Sequence, residues 1–172
     1  MLARSYGDSI VLRWAPEDYV TWNYLNHVGY NLYRIYTDKS GVLHDDLIAE
    51  GIRPLSLEQL RARYPESDSL AFVAVGMIYG EGGVKPNQTR ERYGEMGAML
   101  EIYEDQQTQY AFAEMVAEWR PDVAQAIGLR YVDRDVKQGL HYQYILQPAK
   151  RDSLGRLPIA PGVVEIECTK YK

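Results

Sequence analysis

The sequence predicts a β-sandwich interrupted by an inserted α-helical subdomain, α+β by content. Three observations carry this. Residues near both ends alternate apolar and polar side chains with the period of two that marks half-buried strands. Residues 51–128 change to the spacing of helices and hold helix start and stop signals. Between them and the C-terminal end, Gly139 closes a turn and Tyr142 follows three residues later. A Tyr placed there can return its hydroxyl to the turn backbone while its ring enters a core, which is the tyrosine corner of Greek-key sandwiches.

In chain order, residues 2–6 read as a short first strand, and Gly7-Asp8 as a turn. Ile10, Leu12 and Trp14 alternate with Val11 and Arg13, so Trp14 is expected inward; Pro16 ends this strand because it cannot donate to a ladder. Residues 17–28 read as a polar and aromatic loop carrying Tyr19, Trp22 and Tyr24. A strand follows over 30–36, with Tyr30 and Leu32 inward and Tyr33 and Ile35 competing for the core. Residues 37–41 form a hairpin-style turn, and 42–49 return as the next strand.

The helical part opens at Ser56, which stands three residues before Gln59 as in a capping box. Leu57, Leu60 and Tyr64 have helical spacing, and Pro65 stops that helix. Ser67-Asp68 caps an apolar run to Tyr79, with Gly80 as its stop. Residues 81–87 read as an exposed, mobile loop. Two stripes follow, Tyr93/Met96/Leu100/Tyr103 and Phe112/Met115/Val116/Trp119, and the polar residues 104–109 are expected to bend or divide the helix carrying them. A short helix begins at Pro121 and ends at Gly128. Strands are expected at 129–134, 140–146 and 163–171, with Leu140, Tyr142, Tyr144 and Leu146 on one face. The domain reading is 1–50 and 129–172 as the sandwich, with 51–128 inserted as a helical subdomain packed on its own stripes.

Three segments resemble a fibronectin type III domain. Residues 136–142, Val-Lys-Gln-Gly-Leu-His-Tyr, look like that family's turn and entry to strand F, with Asp133 and Tyr144 similar to bacterial members. Residues 9–16 look like strand B with the family's core Trp at Trp14, and 29–35 look like strand C, with Tyr30 in its core phase. The resemblance covers about the first 50 and last 45 residues, and residues 51–128 have no counterpart in it. It implies an immunoglobulin-like Greek key with strands A, B and E in one sheet and C, C′, F and G in the other. It also implies an extracellular or cell-envelope location in a bacterial surface or exported protein. The chain opens on Met1 almost directly at a strand, and it reads as a fragment or a mature product.

Composition narrows the function classes. A chain of 172 residues with 46% hydrophobic content buries a sizeable core without staples. The net charge of −5 disfavours a nucleic-acid or anionic-membrane surface. The longest apolar run, 70–79, falls far short of the roughly 20 residues of a membrane span. The single Cys, Cys168, excludes an internal disulfide and reads as a small core or edge residue rather than a reactive thiol.

No residue pattern points to catalysis, a cofactor or a metal. His27, His44 and His141 lack the partners and spacing of a zinc site. Asp45-Asp46 and Asp133/Asp135 are read as turn and cap residues, since a calcium loop needs denser oxygen ligands. Glu81, Glu91 and Glu95 have no spacing that defines a glycosidase pair. The Gly-rich run 80–83 lacks the Lys-Ser/Thr of a phosphate cradle. Asn87-Gln88-Thr89 fits an N-glycosylation acceptor, and Asp-Ser-aliphatic triplets at 8–10, 68–70 and 152–154 are similar to bacterial O-glycosylation sites. Tyr numbers 15 against 2 Phe, a bias that suits wet interfaces as well as half-buried sandwich positions. Trp22, Tyr24, Tyr79 and Tyr93 are the candidate interaction residues. The expected function is therefore a non-catalytic module binding a protein or surface glycan through its helical insertion. An accessory carbohydrate-binding module, with Trp22 stacking on sugar, is the alternative; an enzyme with a site between insertion and sandwich ranks below both.

Overall fold

The computed structural model describes residues 1–65, 67–79, 86–152, 155 and 157–170; the side chains of 73, 86–98 and 100 lie outside this description. The chain forms two compact units. The β unit comprises Met1–Ala15, Tyr24–Pro54 and Gln125–Lys172, and the helical unit Pro16–Asn23 and Leu55–Ala124. Pro16–Asn23 belongs with the helical unit.

The β unit holds two antiparallel sheets. One contains β1 (Leu2–Ser5), β2 (Ile10–Arg13) and β5 (Arg130–Asp133), in that spatial order. The other runs β4 (Leu43–Ile52), β3 (Tyr30–Thr37), β6 (His141–Pro148) and β7 (Gly162–Glu167). Alternation explains each strand. Ile10 and Leu12 are buried in β2, Tyr30, Leu32 and Arg34 in β3, and Tyr142, Tyr144 and Leu146 in β6. On β6 the intervening His141 is exposed, while Gln143 and Ile145 are half-buried. The β3–β6 register places Leu32 opposite Leu146 and Arg34 opposite Tyr144. The sheets are also stitched at one edge, where Ser5 Oγ donates to the Thr169 carbonyl at 2.8 Å and accepts from its N–H at 3.0 Å. Cys168 lies beside this stitch, fully buried, its thiol donating to the Gly7 carbonyl.

Two glycines are fixed by backbone geometry. Gly139 has φ +81°, so only its torsion demands glycine; a Cβ there would meet open space. Gly128 has φ +75°, and a Cβ would come within 2.8 Å of the Arg53 backbone. Both torsion and space exclude a side chain there.

The segment read as a loop after Pro16 is instead a helix, α1 (Tyr19–Val28). Its β-branched and aromatic residues are weak helix formers, which is why composition points to a loop. Its ends decide the matter. Asp18 Oδ1 accepts the Thr21 N–H at 2.7 Å as an N-cap, and Gly29, at φ +78°, returns its N–H to the Leu25 carbonyl.

In the helical unit, α2 (Leu57–Arg63) carries the complete capping box between Ser56 and Gln59. It is followed by α3 (Ser69–Tyr79) and α4 (Pro86–Trp119), and α5 (Pro121–Ala126) starts at the expected proline. At 34 residues α4 is about 50 Å long by helical rise. Residues 104–109 do not divide it. Thr108 Oγ1 donates to the Glu104 carbonyl, and Gln109 Nε2 donates to Asp105 Oδ2 at 2.7 Å, so the polar residues satisfy each other one turn apart. The expected apolar stripe is also corrected. The buried face of α4 holds Gln109, Ala113, Val116 and Ala117, and α3 buries Ala71, Ala74 and Val75. Small side chains let two helices approach closely, so the large ones at Met115 and Trp119 turn outward. The expected loop lies outside the described residues at 81–85, and Pro86 and Asn87 open α4.

Candidate functional site

A buried charged node lies in the β unit. Arg34 and Asp133 are each 4% exposed, and Tyr144 is fully buried. Arg34 Nη1 donates to both Asp133 oxygens at 3.2 and 3.1 Å and to the Asp135 carbonyl. Its Nη2 donates to Asp46 Oδ2 and Asp135 Oδ2, each at 3.2 Å. Tyr144 donates its hydroxyl to Asp133 Oδ2 at 2.8 Å, and the Asp135 N–H donates to Asp133 Oδ1 at 3.0 Å. Burial opposes the charge on Arg34, but Asp133 and the hydrogen bonds to Asp135 and Asp46 outweigh it and raise the guanidinium's pKa. Burial first, then the Asp133 charge, pushes the Tyr144 phenol far above its ordinary range. The node thus joins a guanidinium on one sheet to a carboxylate on the other.

This corrects the reading of Asp46, Asp133 and Asp135 as turn and cap residues. Asp133 does fold back on the Asp135 N–H, yet its main partners are Arg34 and Tyr144. The available signal was phase: Arg34 shares the inward phase of β3 with Tyr30 and Leu32, and a buried Arg needs a buried acid.

Beside the node an aromatic series leads outward. Tyr142 is buried and tilts against Tyr36 at 5.1 Å, and Tyr36 stacks on His44 at 4.5 Å. The Tyr142 hydroxyl accepts the Lys137 N–H at 2.7 Å, closing the turn that leads into β6. Trp14 is buried and meets Tyr30 edge-on at 5.6 Å. Asp38 organises the β3–β4 turn, accepting from Ser40 and Val42 N–H and lying 3.0 Å from His44 Nε2. Its bonds to Ser40 and His44 hold its carboxyl well below the usual range. An open cleft of about 550 Å³ lies there, lined by Asp38, Lys39, Ser40, Lys137, Gln138 and Leu140.

The helical unit offers a different chemistry. From Tyr93 to Trp119 the chain has no Lys or Arg and six acidic residues. The exposed side chains described on this part of α4 are Met99, Tyr103, Glu104, Thr108, Ala111, Met115, Glu118 and Trp119. Trp119 is 62% exposed, Tyr103 60% and Met99 69%, values far above those of core side chains. The first cation after this stretch, Arg120, is already held: it is bidentate to Asp68 at 3.0 and 2.9 Å and to Asp122 at 3.0 and 2.9 Å. These bonds lower the pKa of both carboxyls.

Three of the four candidate interaction residues have described side chains, and each is engaged within its own unit. Trp22 is only 2% exposed; its ring packs between Tyr19 and Tyr110, each at 5.8 Å. Helix α1 turns it inward, so it cannot stack on sugar. Tyr24 is half-buried and donates to the Lys150 carbonyl at 3.0 Å. Tyr79 is exposed in part, its hydroxyl donating to the Leu55 carbonyl. The side chain of Tyr93 lies outside the described residues. Sequence reasoning missed Trp119, Tyr103 and Met99 as surface residues because it assigned Tyr103 and Trp119 to buried stripes. Among the described residues no group of three His, Cys, Asp or Glu side chains could hold a metal ion, and no helix is long and apolar enough to cross a membrane. No family model matches the chain, and no curated protein or solved structure does.

Proposed function

We propose that this chain is a non-catalytic recognition module, a fibronectin type III–like β-sandwich carrying a helical unit that contacts a protein partner. The exposed side chains of α4 within the Lys- and Arg-free stretch Tyr93 to Trp119 carry this reading. Met115 and Trp119, one turn apart on one side of the helix, are 37% and 62% exposed; large apolar side chains left open together are poorly explained by folding of the unit itself, whereas Trp and Met are enriched where proteins meet. The sandwich reading is supported by the strand order in the two sheets, by the facing contacts of Arg34 with Asp133, and by the Tyr142 bond to the turn. A place on a bacterial surface or among exported proteins follows from the family resemblance.

The test uses the labelled full chain on bacterial envelope preparations. Saturable binding is expected, abolished by protease treatment of the envelope and spared by periodate oxidation of its sugars. The paired variant Met115→Ser/Trp119→Ser should lose it, and Leu2→Ser, an exposed apolar residue of the β unit, should not. Binding that survives protease and is lost to periodate would assign a glycan instead. No saturable binding would remove the proposal.

A further inference from the structure

The chemistry of the exposed α4 face defines the class of partner it fits. We infer that this face docks a basic amphipathic helix, a Lys/Arg-rich segment with apolar residues at helical spacing. The inference rests on the recognition reading above and deepens it.

Charge separates the two units of this chain. The residues of the helical unit include 14 acidic against 6 basic, while those of the β unit include 10 acidic against 13 basic. A net charge of −5 for the whole therefore hides a strongly acidic helical part. On α4 itself Glu104 and Glu118 stand exposed on the same side as Met115, and Trp119 follows one turn after Met115. Helical residues four apart lie one above the other, so Met115 and Trp119 make a paired apolar anchor. Met supplies a polarizable, adaptable contact and Trp a large one. Glu118 beside them, and Glu104 about three turns earlier on the same side, pair with Lys and Arg while the anchors take the partner's apolar face. Two helices then pair side by side, with anchors recurring at helical spacing and flanking charges choosing the partner.

The same charges disfavour the other occupants. Nucleic acid and anionic lipid are repelled by an acidic face. The α4 face of a second copy would bring like charges together.

The experiment reads Trp119 directly. Of the three tryptophans, Trp14 and Trp22 are 4% and 2% exposed, so an environment-dependent change in emission reports Trp119. The full chain is titrated with a synthetic Lys/Leu peptide of helical period. A saturable blue shift is expected, and the affinity should fall at least tenfold between about 20 and 300 mM salt, as screening removes the charge contribution. A Glu/Leu peptide of the same pattern should give no shift. Glu104→Gln/Glu118→Gln should flatten the salt dependence. Met115→Ser should weaken binding at least tenfold with the far-UV circular dichroism unchanged. A Lys/Ser peptide, which has the charge without the anchors, should bind at least tenfold more weakly than Lys/Leu.

No blue shift with Lys/Leu, or equal binding of Lys/Ser and Lys/Leu, overturns the inference. A concentration-dependent blue shift without peptide, with a dimer in sedimentation, assigns the face to a second copy and also overturns it. A shift with zwitterionic lipid vesicles matching that with peptide does the same. The two readings fail separately. If envelope binding depends on Met115 and Trp119 but the Lys/Leu peptide does not bind, the partner class is wrong and the recognition face stands. If neither depends on them, both fall.

Discussion

Replacing Arg34 by Met tests the buried node most directly. The substitution keeps an unbranched apolar stem and removes the guanidinium with its charge. Asp133 would then stay 4% exposed with only the Tyr144 hydroxyl and the Asp135 N–H as partners. Asp46 and Asp135 matter less, because their side chains are 44% and 91% exposed and water replaces the guanidinium there. The cost is therefore that of stranding one buried carboxylate, about 3–5 kcal/mol. For a chain with a urea slope of about 2 kcal/mol per M, the midpoint of the β unit should fall by roughly 1.5–2.5 M. Urea unfolding should be followed by the indole resonance of Trp14, which belongs to the β unit, so that the helical unit does not blur the transition. The double variant Arg34→Met/Asp133→Leu should recover most of the loss, since a buried ion pair replaced by apolar residues is often neutral or stabilising. An unchanged midpoint for Arg34→Met would refute the burial of the pair. A double variant no better than the single would show that shape, rather than the stranded charge, carries the cost.

Two further outcomes follow from the same core. Tyr142→Phe leaves the Lys137 N–H without its acceptor and should cost about 1 kcal/mol, read as a urea midpoint shift; an unchanged midpoint would mean water replaces the hydroxyl freely. At high pH the sign is set by Tyr144, Tyr142 and Tyr131, whose phenol pKa values burial raises above the ordinary 10.0. The stability they contribute is fully present below pH 10.0 and is lost as pH rises through their folded values. Phenolate absorbance of these tyrosines should therefore appear together with loss of the far-UV signal, in one step above that pH; smooth ionisation with the fold intact would contradict their burial.

The strands were legible because each carries its own evidence. The alternation of Leu140, Tyr142, Tyr144 and Leu146 states which face of β6 is buried, and no distant residue alters that. The capping box at Ser56 and the proline at α5 are likewise local. What was not legible depended on neighbours distant in sequence. Helix α1 has weak intrinsic propensity and is held by its caps and by burial of Trp22 and Leu25. The face of α4 could not be read from hydrophobicity, because its buried side is Gln109, Ala113, Val116 and Ala117, mostly small or polar, while large apolar side chains such as Met115 and Trp119 stay exposed. The node was hidden by sequence distance. Arg34 and Asp133 lie 99 residues apart, and neither position alone says that the other is its partner.

The node also bears on why a core built from two antiparallel sheets would hold a charge pair at all. Leu or Met at both positions would fill the same space without desolvating two ions, so stability alone does not explain it. Register does. Sliding β3 by one residue would turn Arg34 to the other face and bury Tyr33 or Ile35 in its place, and apolar side chains tolerate that exchange. A guanidinium does not, because Asp133 would be left buried with its charge uncompensated. Tyr33 and Ile35, rival core residues in the sequence, share the opposite phase of β3 and are half-buried; the polar contact of Arg34 fixes that phase where hydrophobicity does not. The β3–β4 pairing carries register shifts between Tyr30 and Tyr33, so this strand is the one in need of such a lock. A β3 fixed by Arg34 also fixes Tyr36, whose ring lies between His44 and Tyr142, and through them the turns at Asp38 and Gly139. The pairing of one Arg with one Asp thus sets positions along the strand that apolar packing would leave degenerate.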